Sequence, residues 1–129
     1  MRLLVDTHVW LWLQVAPARV DPKALALLAD LENEVLMSAA SAWEIAIKHA
    51  LGRLPLPVGP AQYVPSRMSR SGITALPVLH AHALRVAELP PLHRDPFDRL
   101  LIAQALHERL TLVTSDRQLE AYEVPIVWA

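Results

Sequence analysis

The chain has 129 residues, a hydrophobic fraction of 53% and a net charge of −1 at pH 7. That length suits one domain with a real core, and the near-neutral balance excludes a protein that grips nucleic acid by bulk charge. There is no cysteine, which excludes disulfides and thiolate metal sites. Glycine is scarce (3) and proline plentiful (11), as in compact elements joined by stiff loops. No uncharged apolar run approaches the roughly 18 residues that span a bilayer, and Asp6 interrupts the first apolar run too early for a signal peptide. The expectation is a soluble, cytoplasmic, single domain over residues 1–129, with no membrane association. Its apolar surplus suggests a surface covered by a partner.

Along the chain, Leu3-Leu4-Val5 reads as a short buried strand ending at Asp6, followed by a helix over Val9 to Val15. Asp21-Pro22 supplies an N-cap and a first-turn proline for a helix through Leu31. Val35 to Met37 is the next strand. Ser41-Ala42-Trp43-Glu44 has the capping-box form and opens a helix to Leu51, stopped by Gly52. Arg53 to Pro60 reads as loop, and Ala61 to Arg70 as a helix interrupted by Pro65. Ile73 to Val78 predicts a strand, and His80 to Leu89 a helix closed by Pro90-Pro91.

Asp95-Pro96 then caps and opens a helix reaching about Arg109, with Asp98 at its third position. Leu110 to Thr114 is a strand rich in β-branched residues, Ser115 to Gln118 a second capping-box pattern, and Pro125 to Trp128 a last strand. Strands alternating with helices point to an α/β domain whose mainly parallel sheet is covered on both faces.

Asp6, Glu44, Asp98 and Asp116 each fall at a helix start or within its first turn, and Asp6 and Asp116 directly follow strands. In an open parallel sheet the carboxyl ends of the strands share one edge, so acids distant in sequence converge there. Helix N-termini favour their ionised forms, and their mutual repulsion calls for a cation. All-oxygen ligands suit Mg²⁺ or Mn²⁺, which can activate water and stabilise the leaving oxygen of a phosphodiester. Each acid alone is also explained as a cap or dipole partner; their convergence on one edge is what favours the metal site.

Four blocks carry a resemblance: Leu3 to Val9, Ser41 to Lys48, the stretch HRDPFDRLLIAQA from His93 to Ala105, and Leu112 to Asp116. In this order and spacing they resemble the PIN-domain ribonucleases, and most closely the VapC-type toxins of bacterial toxin–antitoxin pairs. The resemblance implies a three-layer α/β/α fold and a metal-dependent endoribonuclease. It also implies an acidic quartet at Asp6, Glu44, Asp98 and Asp116, an antitoxin whose tail covers the groove, and a homodimer. Within that quartet, Asp6 and Asp98 are expected as principal ligands. Glu44 would bind the metal or orient the attacking water, and Asp116 would act through a coordinated water.

Around the acids, Thr7 and Ser115 could hydrogen-bond a carboxylate or phosphate, or simply cap helices. Arg94, Arg99 and Arg117 are candidates for RNA phosphates, with Arg99 equally suited to a salt bridge inside the cluster. Asp95 reads as an N-cap, and Lys48 as the i,i+4 partner of Glu44. The histidines lack metal-ligand spacing. Trp10, Trp12 and Trp43 read as core, with room for one to face a partner. Competing readings are a PIN-like domain that binds RNA or a partner without cleaving, and a housekeeping RNA-processing nuclease without an antitoxin. A haloacid-dehalogenase phosphatase fits poorly because His8 stands where its second acid belongs, and a phospho-receiver domain lacks its lysine.

Overall fold

The computed structural model describes residues 1–129. Five short strands, β1 (Arg2–Val5), β2 (Glu34–Ser38), β3 (Thr74–Leu76), β4 (Thr111–Thr114) and β5 (Ile126–Trp128), form one sheet. Their order is β3-β2-β1-β4-β5, and every pairing is parallel. From β1 the chain steps outward through β2 to β3, then returns to the other side of β1 for β4 and β5. The reversal lies between β1 and β4, so a crevice opens at the carboxyl ends of those two strands.

Six helices cover the sheet: α1 (Thr7–Val15), α2 (Pro22–Ala29), α3 (Ala39–Ala50), α4 (Pro60–Ser71), α5 (His80–Arg85) and α6 (Pro96–Glu108). Side chains alternate across each strand. Leu3, Val5, Val35, Met37 and Val113 pack on one face with Val9, Trp10, Ala24, Ile45, Tyr63 and Val64 from α1 to α4. Leu4, Leu36, Leu76 and Leu112 pack on the other with Leu101, Ile102 and Ala105 of α6. Both faces are buried, which is why the strands read as unbroken apolar runs. The expected three-layer α/β/α architecture is the one found, with a sheet wholly rather than mainly parallel.

Several boundaries differ from the sequence reading, each for a local reason. α3 starts at Ala39, because Ser38 at the end of β2 is the cap and accepts the Ala40 N–H at 3.0 Å. Ser41 therefore caps nothing. Its hydroxyl accepts a hydrogen bond from Thr7 Oγ1 at 2.8 Å, which ties α1 to α3 in the interior. Glu44 consequently sits in the second turn of α3 rather than the first. Asp116, not Ser115, caps the 3₁₀ turn Arg117–Ala121 and accepts the Gln118 N–H at 3.0 Å. α4 runs on through Pro65, which is exposed, so only its own missing N–H interrupts the helical bonding. α5 ends at Arg85 and passes into a 3₁₀ turn over Val86–Glu88.

The Thr7–Ser41 bond is a structural tie with a measurable cost of removal. Thr7→Val and Ser41→Ala should each lower unfolding free energy by about 1–3 kcal/mol in urea titrations, and the double variant by less than the sum. Strictly additive losses would show that the two hydroxyls do not interact.

Candidate metal centre

β1 delivers Asp6 to the crevice, where it ends the strand and becomes the N-cap position of α1 while its side chain makes no capping bond. The residue is 3% exposed. β4 delivers Thr114, whose hydroxyl donates to Asp6 Oδ2 at 2.7 Å and accepts the Asp116 N–H at 3.1 Å. An ionised Asp6 can only accept, so the hydroxyl proton is directed at it. Thr114 thus links the two strand ends on either side of the reversal.

α6 supplies the third acid. Asp95 Oδ1 caps the helix, accepting the N–H groups of Phe97 at 2.9 Å and Asp98 at 3.4 Å. Pro96 fixes the first turn, and Asp98 follows in it. Asp95 is therefore occupied as a cap, as its sequence context suggested. Asp6, Asp98 and Asp116 line one small polar cleft together with His8, Trp12 and Ser115. Glu44 is buried at 5% exposure, and its charge acts on Asp6 from α3. Lys48 Nζ lies 2.7 Å from Glu44 Oε2, completing the i,i+4 pair.

Burial is the largest influence on both central acids. It holds the Asp6 carboxyl above its ordinary range against the opposing Thr114 hydrogen bond, and the Glu44 charge adds to it. Asp98 is pushed from 3.8 up to about 7, first by burial and then by the charges of Asp6 and Asp95. Lys48 answers Glu44, whereas no lysine or arginine forms a salt bridge with Asp6, Asp98 or Asp116. Hard carboxylate oxygens, crowded and without a lysine or arginine salt-bridged to them, form a donor set suited to a divalent cation of the Mg²⁺ or Mn²⁺ class.

Two site residues were missed by the sequence reading. Thr114 looked like an ordinary strand end. His93 was set aside for want of ligand spacing, yet its Nε2 lies 3.3 Å from Asp98 Oδ2 and 3.2 Å from Asp116 Oδ2. A short gap between a histidine and a first-turn acid was the available signal.

The other candidates divide. Ser115 is on the cleft wall. Arg94 is exposed near the start of α6, and Arg117 is exposed with its guanidinium 4.1 Å from the Trp128 ring. Thr7 is buried, and its hydroxyl is committed to Ser41. Arg99 forms no salt bridge with the acid cluster. Its fork donates to Pro90 O at 2.9 Å, Val86 O at 3.1 Å and Tyr122 Oη at 3.1 Å, holding the loop before α6. Trp10 is core, Trp12 is half-buried on the cleft, and Trp43 is 61% exposed. A second group, His82, His107 and Glu108, also lies close together. There the Leu79 N–H is bound to His82 Nδ1 at 3.0 Å, which puts the ring proton on Nε2 facing Glu108 at 2.7 Å. His82 and Glu108 are thus already paired by a partly buried hydrogen bond.

The raised acids give a pH signature. A folded Asp98 near 7 binds its proton more tightly than the unfolded chain near 3.8, so its stabilising contribution is full below about pH 4 and fades as pH rises to about 7. Thermal melting of cation-free protein should therefore lose more stability between about pH 5 and pH 8 in the wild type than in Asp98→Asn. Mn²⁺ should raise the wild-type melting temperature at the higher pH and far less at the lower, because ligation requires deprotonation. Equal cation effects at both pH values would contradict the assignment.

The fold and crevice have counterparts among known proteins. Over 126 residues, covering 95% of this chain and 93% of its relative, the sequence is 29% identical to Ribonuclease VapC22 of Mycobacterium tuberculosis. A 57-residue stretch is 56% identical to Ribonuclease VapC16 of the same organism; it covers 44% of this chain and only 40% of that relative. In three dimensions the chain is similar to a chain in the crystal structure of VapBC2 from Rickettsia felis bound to a promoter DNA fragment. That match has a TM-score of 0.76 and 16% identity, covering 99% of this chain and 98% of that one. The PIN-domain family model matches residues 3–125, and on that match the chain belongs to the PIN-domain family.

Proposed function

We propose that this chain is a metal-dependent endoribonuclease, acting as the toxin of a type II toxin–antitoxin pair, with residues 1–129 as one catalytic PIN domain. The observation that carries this reading is the convergence of Asp6, Asp98 and Asp116 on one cleft at the β1/β4 reversal. The ribonuclease names of the two mycobacterial relatives support the substrate class.

Asp6 and Asp98 are the principal ligands for Mg²⁺ or Mn²⁺, with Asp116 beside them. When bound, the cation supplies Lewis-acid stabilisation of a phosphodiester and makes water a better nucleophile near neutral pH. Thr114 keeps one oxygen of Asp6 oriented. Glu44, its charge balanced by Lys48, supplements the ligand set or orients the attacking water. Ser115, Arg94 and Arg117 offer donors to RNA phosphates around the cleft. The low net charge leaves that task to such local groups and to the cation.

Two apolar grooves, one lined by Leu13, Leu25 and Leu28 and the other by Val64, Met68 and Ile73, are suited to an antitoxin segment. The exposed Trp43, edge-on to Phe97 with ring centroids 5.2 Å apart, is suited to a homodimer contact. No helix is long and apolar enough to cross a membrane, in keeping with a cytoplasmic toxin.

Cleavage of structured RNA by purified protein, freed of any partner and supplied with Mg²⁺ or Mn²⁺, tests the reading. Wild type should cut only with the cation, and Asp6→Asn and Asp98→Asn should each fall about 10²-fold or more. Equal activity in all three proteins, or cutting unaffected by chelator, would overturn it.

A further inference from the structure

His93 stands in the loop before α6, outside the acidic quartet, yet its imidazole is anchored on every polar edge. Its backbone N–H donates to Tyr122 Oη at 2.9 Å, and Tyr122 is 4% exposed. The same phenol oxygen receives Arg99 Nη1 at 3.1 Å, and Arg99 also grips the carbonyls of Val86 and Pro90. The loop carrying His93 is therefore fixed although it has no regular secondary structure.

The ring itself is oriented by Asp95. The Asp95 N–H donates to His93 Nδ1 at 3.0 Å, so Nδ1 is the acceptor and the neutral ring carries its proton on Nε2. That Nε2–H hydrogen-bonds Oδ2 of Asp116 at 3.2 Å, and Oδ2 of Asp98 lies 3.3 Å from the same nitrogen. The side chain of His93 is 12% exposed, and those of Asp98 and Asp116 are 15% and 33% exposed. A single shielded donor thus bonds Asp116, in the turn after β4, with the Asp98 carboxylate of α6 brought close to the same N–H.

We propose that His93 is a positioning residue whose Nε2–H aims the Asp98 and Asp116 carboxylates at a common point and so forms the cation site before the cation arrives. The inference rests on the metal-dependent reading above. An ionised carboxylate has room for several partners on its two oxygens, so accepting this N–H leaves capacity for a cation. Without the donor, two like charges close together turn apart, and binding must first bring them back. Outer partners of metal ligands act in this way, and their loss commonly weakens metal binding by about 10- to 100-fold.

The test is Mn²⁺ affinity of the full chain, stripped of divalent ions and free of RNA, measured by electron paramagnetic resonance. Wild type, His93→Ala and His93→Gln are compared, with near-ultraviolet circular dichroism reporting that each is folded. His93→Ala should bind Mn²⁺ about 10-fold or more weakly, and His93→Gln, which places an amide N–H at similar reach, should recover most of the loss. A packing role alone would lower stability without separating the two variants in affinity. Wild-type affinity in His93→Ala, or equal weakening in both variants, overturns the positioning role and leaves the nuclease reading intact. No Mn²⁺ binding by the wild type overturns both.

Discussion

The hydrogen bond from Thr114 to Asp6 joins residues 108 positions apart in the chain and holds together the two strand ends on which the site is built. It exists only because β4 returns to lie beside β1 instead of continuing outward past β3. The same hydroxyl accepts the Asp116 N–H, which ties a third group to the pair. Sheet order, the orientation of one carboxylate and the placement of a second acid are therefore a single arrangement. Closing so long a loop costs entropy, which the apolar faces of β1 and β4, buried on both sides, must offset.

That arrangement concentrates negative charge where water is scarce. Burial raises both Asp6 and Asp98; the Glu44 charge adds to the first and the Asp6 charge to the second. The protein answers the charge unevenly. Glu44 has Lys48, Asp6 has the Thr114 hydroxyl, and Asp98 and Asp116 share His93. Hydrogen-bond donors orient carboxylates without cancelling their charge, so the cleft remains disposed toward a hard cation. Arg99 and Tyr122, which touch none of the acids, bear on the same site by fixing the loop that carries His93.

Features set by local chemistry were legible in the sequence. Asp21-Pro22 and Asp95-Pro96 mark helix starts because a cap and a first-turn proline act within a few residues. The strands announced themselves as apolar runs because both faces are covered. Asp6 and Asp116 could be grouped because strand ends in a parallel sheet share an edge, and Asp98 by its place in the first turn of a helix. What the sequence concealed depends on choices among near-equivalent neighbours or on distant partners. Ser38 and Ser41 both precede α3 material, and only the fold shows that the first caps while the second binds Thr7. Arg99 sits beside Asp98 in sequence but turns to carbonyls of the preceding loop. Thr114 acquires its role from a residue 108 positions away, which no spacing rule reaches, and His93 meets nearby Asp98 but also Asp116, 23 positions on.

The central claim is that the cleft at the β1/β4 reversal holds a divalent cation on Asp6 and Asp98. Anomalous diffraction from crystals equilibrated with Mn²⁺ addresses it directly, because the signal locates the ion itself. A peak is expected in the cleft about 2.1 Å from carboxylate oxygens of both residues. A cleft without a peak at saturating Mn²⁺, or an ion held only at His82, His107 and Glu108, would contradict it.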